Sequence, residues 1–276
     1  MALTSPRFIA SRRLRNVAAN QATISKGHSG RSVHLVQQAL IDLGYQLPRS
    51  TRKAAYSPDG SFGSETEAKL KEFQARSGLK DDGVVGWRTL QALARRLPSY
   101  QHRVRLHFRS IALHKIPFER SLLDAQVIFG QYGIKVEYGS GESLLLTPAQ
   151  MRLFDRIDND CEWTLSAGEY NELHSLGTRA PDNEILVYQV KALKGGDLGC
   201  GGHAVNRPAV TVAAAASRWD TAHEVGHVLL GSSFSPVHVS DRRNLMHPTT
   251  SRYATIPVLT DGQVKQMRRS VCCRVL

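Results

Sequence analysis

The chain has 276 residues, of which 41% are hydrophobic and 22% are charged. This length suffices for two modest domains or one large domain, and the composition excludes a wholly disordered tail and a disulfide-stapled miniprotein. The formal net charge is +12 at pH 7, and most of the basic excess lies in the N-terminal third. We therefore expect an anionic partner, although charge alone does not distinguish nucleic acid, acidic lipid and an anionic cell-wall polymer.

The cysteines are too few for a disulfide framework, and none of them forms a C-x-x-C pair that would predict a thiolate metal site. They are Cys161, Cys200, Cys272 and Cys273, and the sequence does not reveal their pairing. The N-terminal segment lacks the apolar run of a Sec-type signal peptide, and no apolar stretch is long enough to cross a membrane. The sequence thus predicts neither a secretory signal nor a membrane span.

The N-terminal segment, residues 1–23, carries four arginines and no acidic residue. This composition predicts a basic flexible arm. From Ser32 to Leu43 apolar residues recur at helical spacing, and Gly44 follows where a left-handed helix end is favoured. The sequence therefore predicts a helix over this stretch.

An internal repeat follows the predicted helix. Residues 59–70 and 82–93 share the pattern D-G-x-Φ-G-x-x-T-x-x-x-L, where Φ is apolar. Asp-Gly favours a tight turn, and the apolar positions behind it are spaced for a helix. Each copy therefore predicts a turn followed by a helix, packed on a small shared core that includes Phe73, Leu79, Val84, Val85 and Leu90.

These repeats, together with the string I-S-K-G-H-S-G that begins at Ile24, closely resemble the three-helix peptidoglycan-binding domain found in bacterial wall hydrolases. The resemblance covers residues 24–96 and implies recognition of the cell wall. The same small fold also resembles the propeptide of matrix metalloproteinases, which acts through a cysteine that blocks zinc. Residues 1–160 contain no cysteine, which argues against that form of latency.

Beyond the repeats, the pattern changes to that of a mixed domain. Residues 97–102 form a predicted linker, in which Pro98 ends the preceding helix. Alternating apolar residues predict strands near Val104 and Ile134, with a helix between them, and apolar runs predict a buried strand over 184–190 and an edge strand over 209–215. The predicted fold class is α+β: a small three-helix N-terminal domain followed by a metzincin-like mixed α/β domain over 103–276, the metzincin resemblance resting on the motifs below.

The string H-E-V-G-H at positions 223–227 carries the strongest chemical signal. Spacing of four residues places His223 and His227 on one helical face about one turn apart, so that both imidazoles can reach a single Zn²⁺. Glu224 then points to the side where the attacking water would lie. Ser217 and Gly231 are the predicted caps of this helix.

A catalytic zinc ion takes three protein ligands, so a third must come from elsewhere. His238 stands eight residues before Met246, which lies in the string N-L-M-H-P. This arrangement resembles the metzincin peptidases, especially the matrixins, and implies His238 as the third ligand and Met246 as the methionine of a tight turn beneath the metal. The spacing departs from that family, because His238 follows His227 by eleven residues rather than six. Asp241 stays open as an alternative third ligand.

Together these residues predict a metalloendopeptidase with one catalytic Zn²⁺. Glu224 is the expected general base, which takes a proton from water and delivers it to the leaving amine. Tyr253, seven residues beyond Met246, is either a stabiliser of the tetrahedral intermediate or an ordinary core or surface tyrosine.

Three functions stay open at this point: a zinc peptidase that cleaves protein at the wall, a peptidoglycan endopeptidase that cuts cross-linking peptides, and a wall-binding module with a degenerate site. The expected partners are peptidoglycan or another anionic envelope polymer, a protein or peptide substrate, and an immunity or inhibitor protein, but not nucleic acid. The expected location is the bacterial periplasm or the outside of the producing cell. Three explanations stay open for how the protein reaches this location. It is exported as an antibacterial toxin by a specialised secretion system, it is released by lysis, or the true start of the chain lies elsewhere.

Overall fold

The chain divides into two compact units in the computed structural model. The first comprises Met1–Gln101, Gly130–Gly133 and Leu259–Val264, and the second comprises His102–Phe129, Ile134–Val258 and Lys265–Leu276. The structure describes residues 3, 5–52, 58–97, 100–158, 161, 168–204, 206–249 and 256–276. Each unit has its own organisation and is described separately.

The first unit is helical. Its helices are α1 (Pro6–Ile9), α2 (Arg12–Ala18), α3 (Arg31–Asp42), α4 (Pro48–Arg52), α5 (Ser64–Arg76) and α6 (Trp87–Arg96). The prediction of a flexible arm over residues 1–23 is wrong, because Phe8, Leu14 and Val17 are buried in the same core as α3 and α5. The spacing of Leu14 and Val17 places both on one helical face, and the surrounding arginines concealed this short amphipathic pattern.

The internal repeat appears in the structure as two copies of one hydrogen-bonded clasp. In the first copy the side-chain amide of Gln37, on α3, donates to Asp59 Oδ1, Ser61 O and Thr66 Oγ1, each at 3.0 Å. In the second copy Gln74, on α5, donates to Asp82 Oδ1, Val84 O and Thr89 Oγ1 at 3.0–3.1 Å. Each glutamine oxygen also accepts the N–H of the glycine in its Asp-Gly pair. A buried amide thus satisfies each turn and fixes it to the next helix.

Most of the predicted small core is confirmed. Phe73, Val85 and Leu90 are fully buried, whereas Leu79 and Val84 are only half-buried. The helix predicted over 32–43 is α3, and Gly44 after it has the predicted positive φ of 91°. Of the predicted linker, Leu97 is buried in the first unit and His102 already belongs to a strand, while Pro98 and Ser99 lie outside the described residues.

A mixed sheet forms the centre of the second unit. Its strands are β1 (His102–Ser110), β2 (Ile134–Ser143), β3 (Ile185–Val190), β4 (Gly199–Cys200), β5 (Ala209–Ala213) and β6 (Arg274–Val275). The strand order is β2-β1-β3-β5-β4, with β6 paired to β1. The pairs β1–β2, β1–β3 and β3–β5 are parallel, whereas β4 is antiparallel to β5.

The position of β5 differs from the expectation. The sequence predicts an edge strand over 209–215, but β5 is an inner strand because the two-residue β4 pairs with its far side. Such a short, glycine-flanked strand has no periodicity that a sequence pattern could reveal. The free edge of the sheet at this end therefore belongs to β4.

The helices of the second unit are α7 (Phe118–Gly130), α8 (Pro148–Leu153), α9 (Glu169–Ser175), α10 (Asp220–Leu230) and α11 (Asp261–Met267), of which α7 and α11 extend into residues of the first unit. Helix α10 packs against β5 and β4. It begins two residues later than predicted, at Asp220, with Trp219 rather than Ser217 at the cap position. The Asp220 carboxylate accepts the Ser217 N–H at 2.6 Å in the turn before the helix. Gly231 ends α10 with φ 79°, as predicted.

Helices and a mixed sheet together make the fold class α+β, as predicted from the sequence. Within the part of the chain that the structure describes, no helix combines the length and apolar character that crossing a lipid bilayer requires.

Candidate metal centre

Helix α10 carries the H-E-V-G-H string over its two central turns, and its burial sets the character of the site. Every residue of the helix is buried except His227, which is half-buried. Because His223 and His227 are one turn apart, both rings leave the helix on the same side. Their Nε2 atoms are 3.1 Å apart.

His238 completes a triangle of imidazole nitrogens. Its Nε2 lies 3.4 Å from Nε2 of His223 and 3.2 Å from Nε2 of His227. Among the described residues, these three side chains form the cluster of histidine, cysteine and acidic groups that could hold a metal ion. The eleven-residue spacing from His227 therefore does not prevent His238 from reaching the pair on α10.

The orientation of His223 is fixed from outside the cluster. Its Nδ1 lies 2.7 Å from the carbonyl oxygen of Leu245. Since a carbonyl oxygen only accepts, Nδ1 carries the proton and Nε2 presents a lone pair to the centre of the triangle. Burial also lowers the pKa of His223 to about 4 and that of His227 to about 3, and it lowers the pKa of His238. All three rings are therefore neutral near pH 7.

The donor set fits a zinc ion. Three neutral imidazoles whose lone pairs converge repel one another unless a cation lies between them. With Zn–N bonds of about 2.05 Å and tetrahedral angles, ligand nitrogens would lie about 3.4 Å apart, close to the separations of 3.1–3.4 Å here. Three nitrogen ligands also leave one tetrahedral position open, which is typical of catalytic rather than structural zinc.

Glu224 lies beside the triangle in the wall of a cavity of about 690 Å³, which His223, His227 and His238 also line. The side chain is buried, at 6% exposed. Burial raises its pKa well above the ordinary value, and the nearby carboxyls of Asp220 and Asp197 raise it further. A carboxyl held in this way favours proton uptake, which is the property that a general base needs.

The segment 199–202, which contains β4, also lines the cavity and approaches α10 closely through glycines. A Cβ atom at Gly199 would lie 2.4 Å from Glu224 Oε1, and one at Gly201 would lie 2.5 Å from Cβ of His227. Between them, Cys200 forms a disulfide with Cys161, which also lines the cavity. Cys200 lies in the edge strand β4, and the Gly-Cys-Gly-Gly string is the sequence signal for a close approach of backbone.

Met246 is fully buried against α10. Its Sδ atom lies so close to Gly226 that a Cβ there would come within 2.6 Å of it. The glycine of the H-E-V-G-H string therefore admits the methionine against the backbone of α10. The N–H of Met246 donates to Asn244 Oδ1 at 2.8 Å, and its carbonyl accepts the N–H of Val239 at 3.0 Å.

The alternative third ligand, Asp241, is not in the cluster. The Asp241 carboxylate accepts two hydrogen bonds from the Arg243 guanidinium at 3.1 and 3.0 Å and lies outside the group of potential ligands. Tyr253 lies outside the described residues.

Two histidines outside the cluster have hydrogen-bonding partners of their own. His107 Nε2 lies 2.6 Å from Glu184 Oε2, and His174 Nε2 lies 3.2 Å from Thr211 Oγ1. These contacts join strands or helices that are distant in sequence, so no local pattern could have revealed them.

Comparisons with known proteins match the N-terminal region. Residues 29–93 match the family model described as a putative peptidoglycan binding domain. The N-acetylmuramoyl-L-alanine amidase CwlL of Bacillus licheniformis is 38% identical over 71 residues, and a probable N-acetylmuramoyl-L-alanine amidase of the same organism is 37% identical. Each match covers 26% of this chain and only 18% of the amidase.

Two solved structures are also similar to parts of the chain. One is a peptidoglycan-binding protein from Clostridioides difficile in complex with glutamine hydroxamate, which is 36% identical. The match covers 27% of this chain and 41% of that protein, with a TM-score of 0.23. The other is an archaemetzincin from Methanopyrus kandleri, which is 15% identical. The match covers 60% of this chain and 94% of that protein, with a TM-score of 0.36. These TM-scores are too low to establish a shared overall fold. The sequence matches identify the N-terminal region as a domain of the peptidoglycan-binding type.

Proposed function

We propose that the protein is a zinc-dependent endopeptidase whose N-terminal domain brings it to the bacterial cell wall. The observation that carries this proposal is the convergence of three imidazole Nε2 atoms within 3.4 Å of one another. Glu224 lies in the same cavity, and a helix contributes its carboxyl and two of the imidazoles at fixed spacing. The peptidoglycan-binding domain supports the wall as the place of action.

In the proposed mechanism, His223, His227 and His238 would hold one Zn²⁺. When bound, this ion supplies a Lewis acid that polarises a scissile carbonyl and brings the pKa of water towards neutrality. Glu224 takes the proton from the attacking water at a carboxylate oxygen and then delivers it to the nitrogen of the leaving amine. Its buried position keeps this proton from exchanging freely with solvent.

The surrounding residues act by positioning. The Leu245 carbonyl holds His223 in the tautomer whose Nε2 can bind metal. Gly199 permits the Glu224 carboxyl to lie against β4, and the free edge of β4 offers backbone groups to which an extended peptide could pair. The buried Met246 beneath α10 supports a metzincin-like arrangement in this proposal, with His238 rather than Asp241 as the third ligand.

The N-terminal domain favours the cross-linking peptides of the wall as an alternative substrate. Fusion to a domain of the peptidoglycan-binding type suits an enzyme that cuts the cross-linking peptides of the wall, and the curated relatives that share the domain are named as amidases. The alternative of a degenerate site is opposed by the complete set of three imidazoles and a buried carboxyl.

The disulfide supports a location outside the reducing cytoplasm. Cys161 and Cys200 are joined in the wall of the cavity, and such bonds persist in the periplasm or outside the cell. Export by a specialised secretion system remains part of this proposal. Secretion of the intact protein by a strain without such a system would contradict that route.

The test of the catalytic proposal separates metal binding from hydrolysis. We expect the purified protein to contain one zinc per chain by elemental analysis. Glu224→Gln should keep the zinc and abolish hydrolysis, whereas His238→Ala should lose most of the zinc and Asp241→Ala should retain it. Full activity in Glu224→Gln would overturn the assignment of Glu224 as the general base. Loss of zinc in Asp241→Ala but not in His238→Ala would show that Asp241, rather than His238, is the third ligand.

The test of the substrate compares casein with purified sacculi in parallel digests. Release of cross-link peptides from sacculi by the wild type but not by Glu224→Gln would support a wall endopeptidase. Cleavage of casein alone would support a peptidase that cuts protein and uses the wall only as a place to bind. Hydrolysis of neither, by a protein with full zinc content, would contradict both forms of the proposal.

A further inference from the structure

We propose that the first unit binds acidic glycopeptides of the wall in a pocket along one face of α6, where Trp87 supplies a flat apolar surface and Arg88, in the first turn, and Arg95, in the last, bind carboxylate groups. This inference rests on the proposed wall-binding role and adds the location and ligand chemistry of the contact. The pocket is a cavity of about 450 Å³ whose lining includes Leu79, Trp87, Arg88, Gln91 and Arg95.

The internal repeat shows why a pocket forms here. Sixteen residues, 43–58, separate α3 from the Asp-Gly pair of the first copy, and they include α4. Only five residues, 77–81, separate α5 from the same pair in the second copy. The second copy therefore has the same clasp but no counterpart of α4.

The residues that differ between the copies lie at this position. In the first copy Glu65 accepts the N–H groups of Arg49 and Ser50 at 3.0 and 2.7 Å and so caps α4. The corresponding residue of the second copy is Arg88, and the preceding Ser64 is replaced by Trp87. An acidic residue that binds a helix of this chain in one copy thus becomes a basic residue that lines a cavity in the other.

The charges around the pocket favour an anion. Arg88 and Arg95 are exposed, and neither forms an ion pair with any residue that the structure describes. The pocket lining contains no acidic side chain among the described residues. Arg96, at the rim, donates to the Arg76 carbonyl at 2.9 Å, which holds its guanidinium in place. Guanidinium groups bind carboxylates through paired hydrogen bonds.

The aromatic surface distinguishes this pocket from a simple basic patch. Trp87 is half-buried and lines the cavity, and the Arg88 guanidinium lies 5.3 Å from the centre of its ring. An indole packs well against the apolar face of a sugar ring or a small aliphatic side chain. A carboxylate-bearing muropeptide combines both features, because its peptide ends in a carboxylate and begins at a sugar.

The experiment uses full-length protein with Glu224→Gln, so that sacculi are not digested during the measurement. Binding to purified sacculi is measured by co-sedimentation for this protein and for Arg88→Glu and Arg95→Glu in the same background. Arg12→Glu, at an exposed arginine on α2 that does not line the pocket, is the matched control for charge. We expect each pocket variant to weaken binding about tenfold or more and the control to change it less than twofold, since about 1.4 kcal/mol corresponds to tenfold.

Soluble probes then define the ligand. Quenching of tryptophan fluorescence is recorded with disaccharide-tetrapeptide, with the same muropeptide after amidation of its carboxylates, and with neutral N-acetylglucosamine oligosaccharide. We expect quenching by the free acid alone, and loss of that signal in Trp87→Phe. Equal quenching by the amidated form would overturn the carboxylate contact.

The outcomes separate this inference from the proposed function. Sedimentation of the parent protein together with equal binding by Arg88→Glu, Arg95→Glu and Arg12→Glu would overturn the pocket and leave the targeting role intact. Failure of the parent protein to sediment would overturn both. Hydrolysis of casein by the same substitutions in the active background reports on the metal centre independently.

Discussion

Gly199→Ala tests whether the edge strand positions the general base. The added Cβ would lie 2.4 Å from Oε1 and 2.7 Å from Cδ of Glu224. Ordinary contacts between such atoms are about 3.4 Å or longer, so the carboxyl has to move by about 1 Å. The substitution changes neither an imidazole ligand nor Glu224 itself.

The expected effect follows from this displacement. A misplacement of about 1 Å in a catalytic group can cost about 100-fold in rate, which is about 2.7 kcal/mol of activation free energy. We therefore expect Gly199→Ala to lower kcat/KM by about 100-fold while the protein keeps its full zinc content. The assay is cleavage of a quenched fluorescent peptide, with zinc measured on the same samples.

Two glycines provide the comparison. Gly201→Ala places its Cβ 2.5 Å from Cβ of His227, so it should lower the zinc content as well as the activity. Gly262→Ala is the control, because its nearest neighbouring atom would be Thr260 Oγ1 at 3.9 Å. If Gly199→Ala retained activity within twofold of wild type while Glu224→Gln was inactive, the reasoning that β4 holds the carboxyl in place would be refuted.

Three further predictions concern the stability of the units, measured by urea denaturation. Replacing Cys161 and Cys200, which are 39 residues apart, by serine should lower the free energy of unfolding by up to about 4 kcal/mol, and unchanged stability without the bond would contradict this. Burial lowers the pKa of His174 to about 3, with His203 and Arg207 also disfavouring its charge, so stability should fall as pH drops below about 6.5, by about 2 kcal/mol at pH 5. His174→Gln should remove that part of the pH dependence; an unchanged pH dependence would count against it. Gln37→Leu and Gln74→Leu should each destabilise the first unit by about 3 kcal/mol, because each removes the glutamine's hydrogen bonds to four equivalent groups, and a large difference between them would show that the clasps are not equivalent.

Local patterns predicted much of the fold. Helical spacing of apolar residues predicted α3, and alternation predicted β1 and β2, because these signals depend on residues within one element. The N-terminal helices were missed since their apolar faces are only a few residues long. The pairing of β4 with β5 was missed because it depends on two residues whose glycine neighbours look like a turn.

In the candidate site, too, local patterns predicted some features and missed others. The i, i+4 spacing was sufficient to bring His223 and His227 together, since a helix fixes their separation. The contact of His238 with them required a resemblance, because no periodicity determines where the seven-residue loop over 231–237 returns. The Leu245 carbonyl was beyond sequence reasoning, since it acts through a backbone atom that every residue type carries.

The Leu-Met pair explains how the longer loop can still deliver its histidine. Leu245 O accepts from His223 Nδ1 at 2.7 Å, while Met246 O accepts from the N–H of Val239 at 3.0 Å. Two adjacent carbonyls therefore hold one ligand on α10 and the residue that follows His238. Because both contacts originate in one short segment, whose methionine packs on Gly226, the relative position of the two rings depends on this segment rather than on the length of the loop between them. An insertion between Gly231 and Val237 should accordingly be tolerated for zinc binding, whereas Met246→Ala, which removes the packing beneath α10, should weaken it.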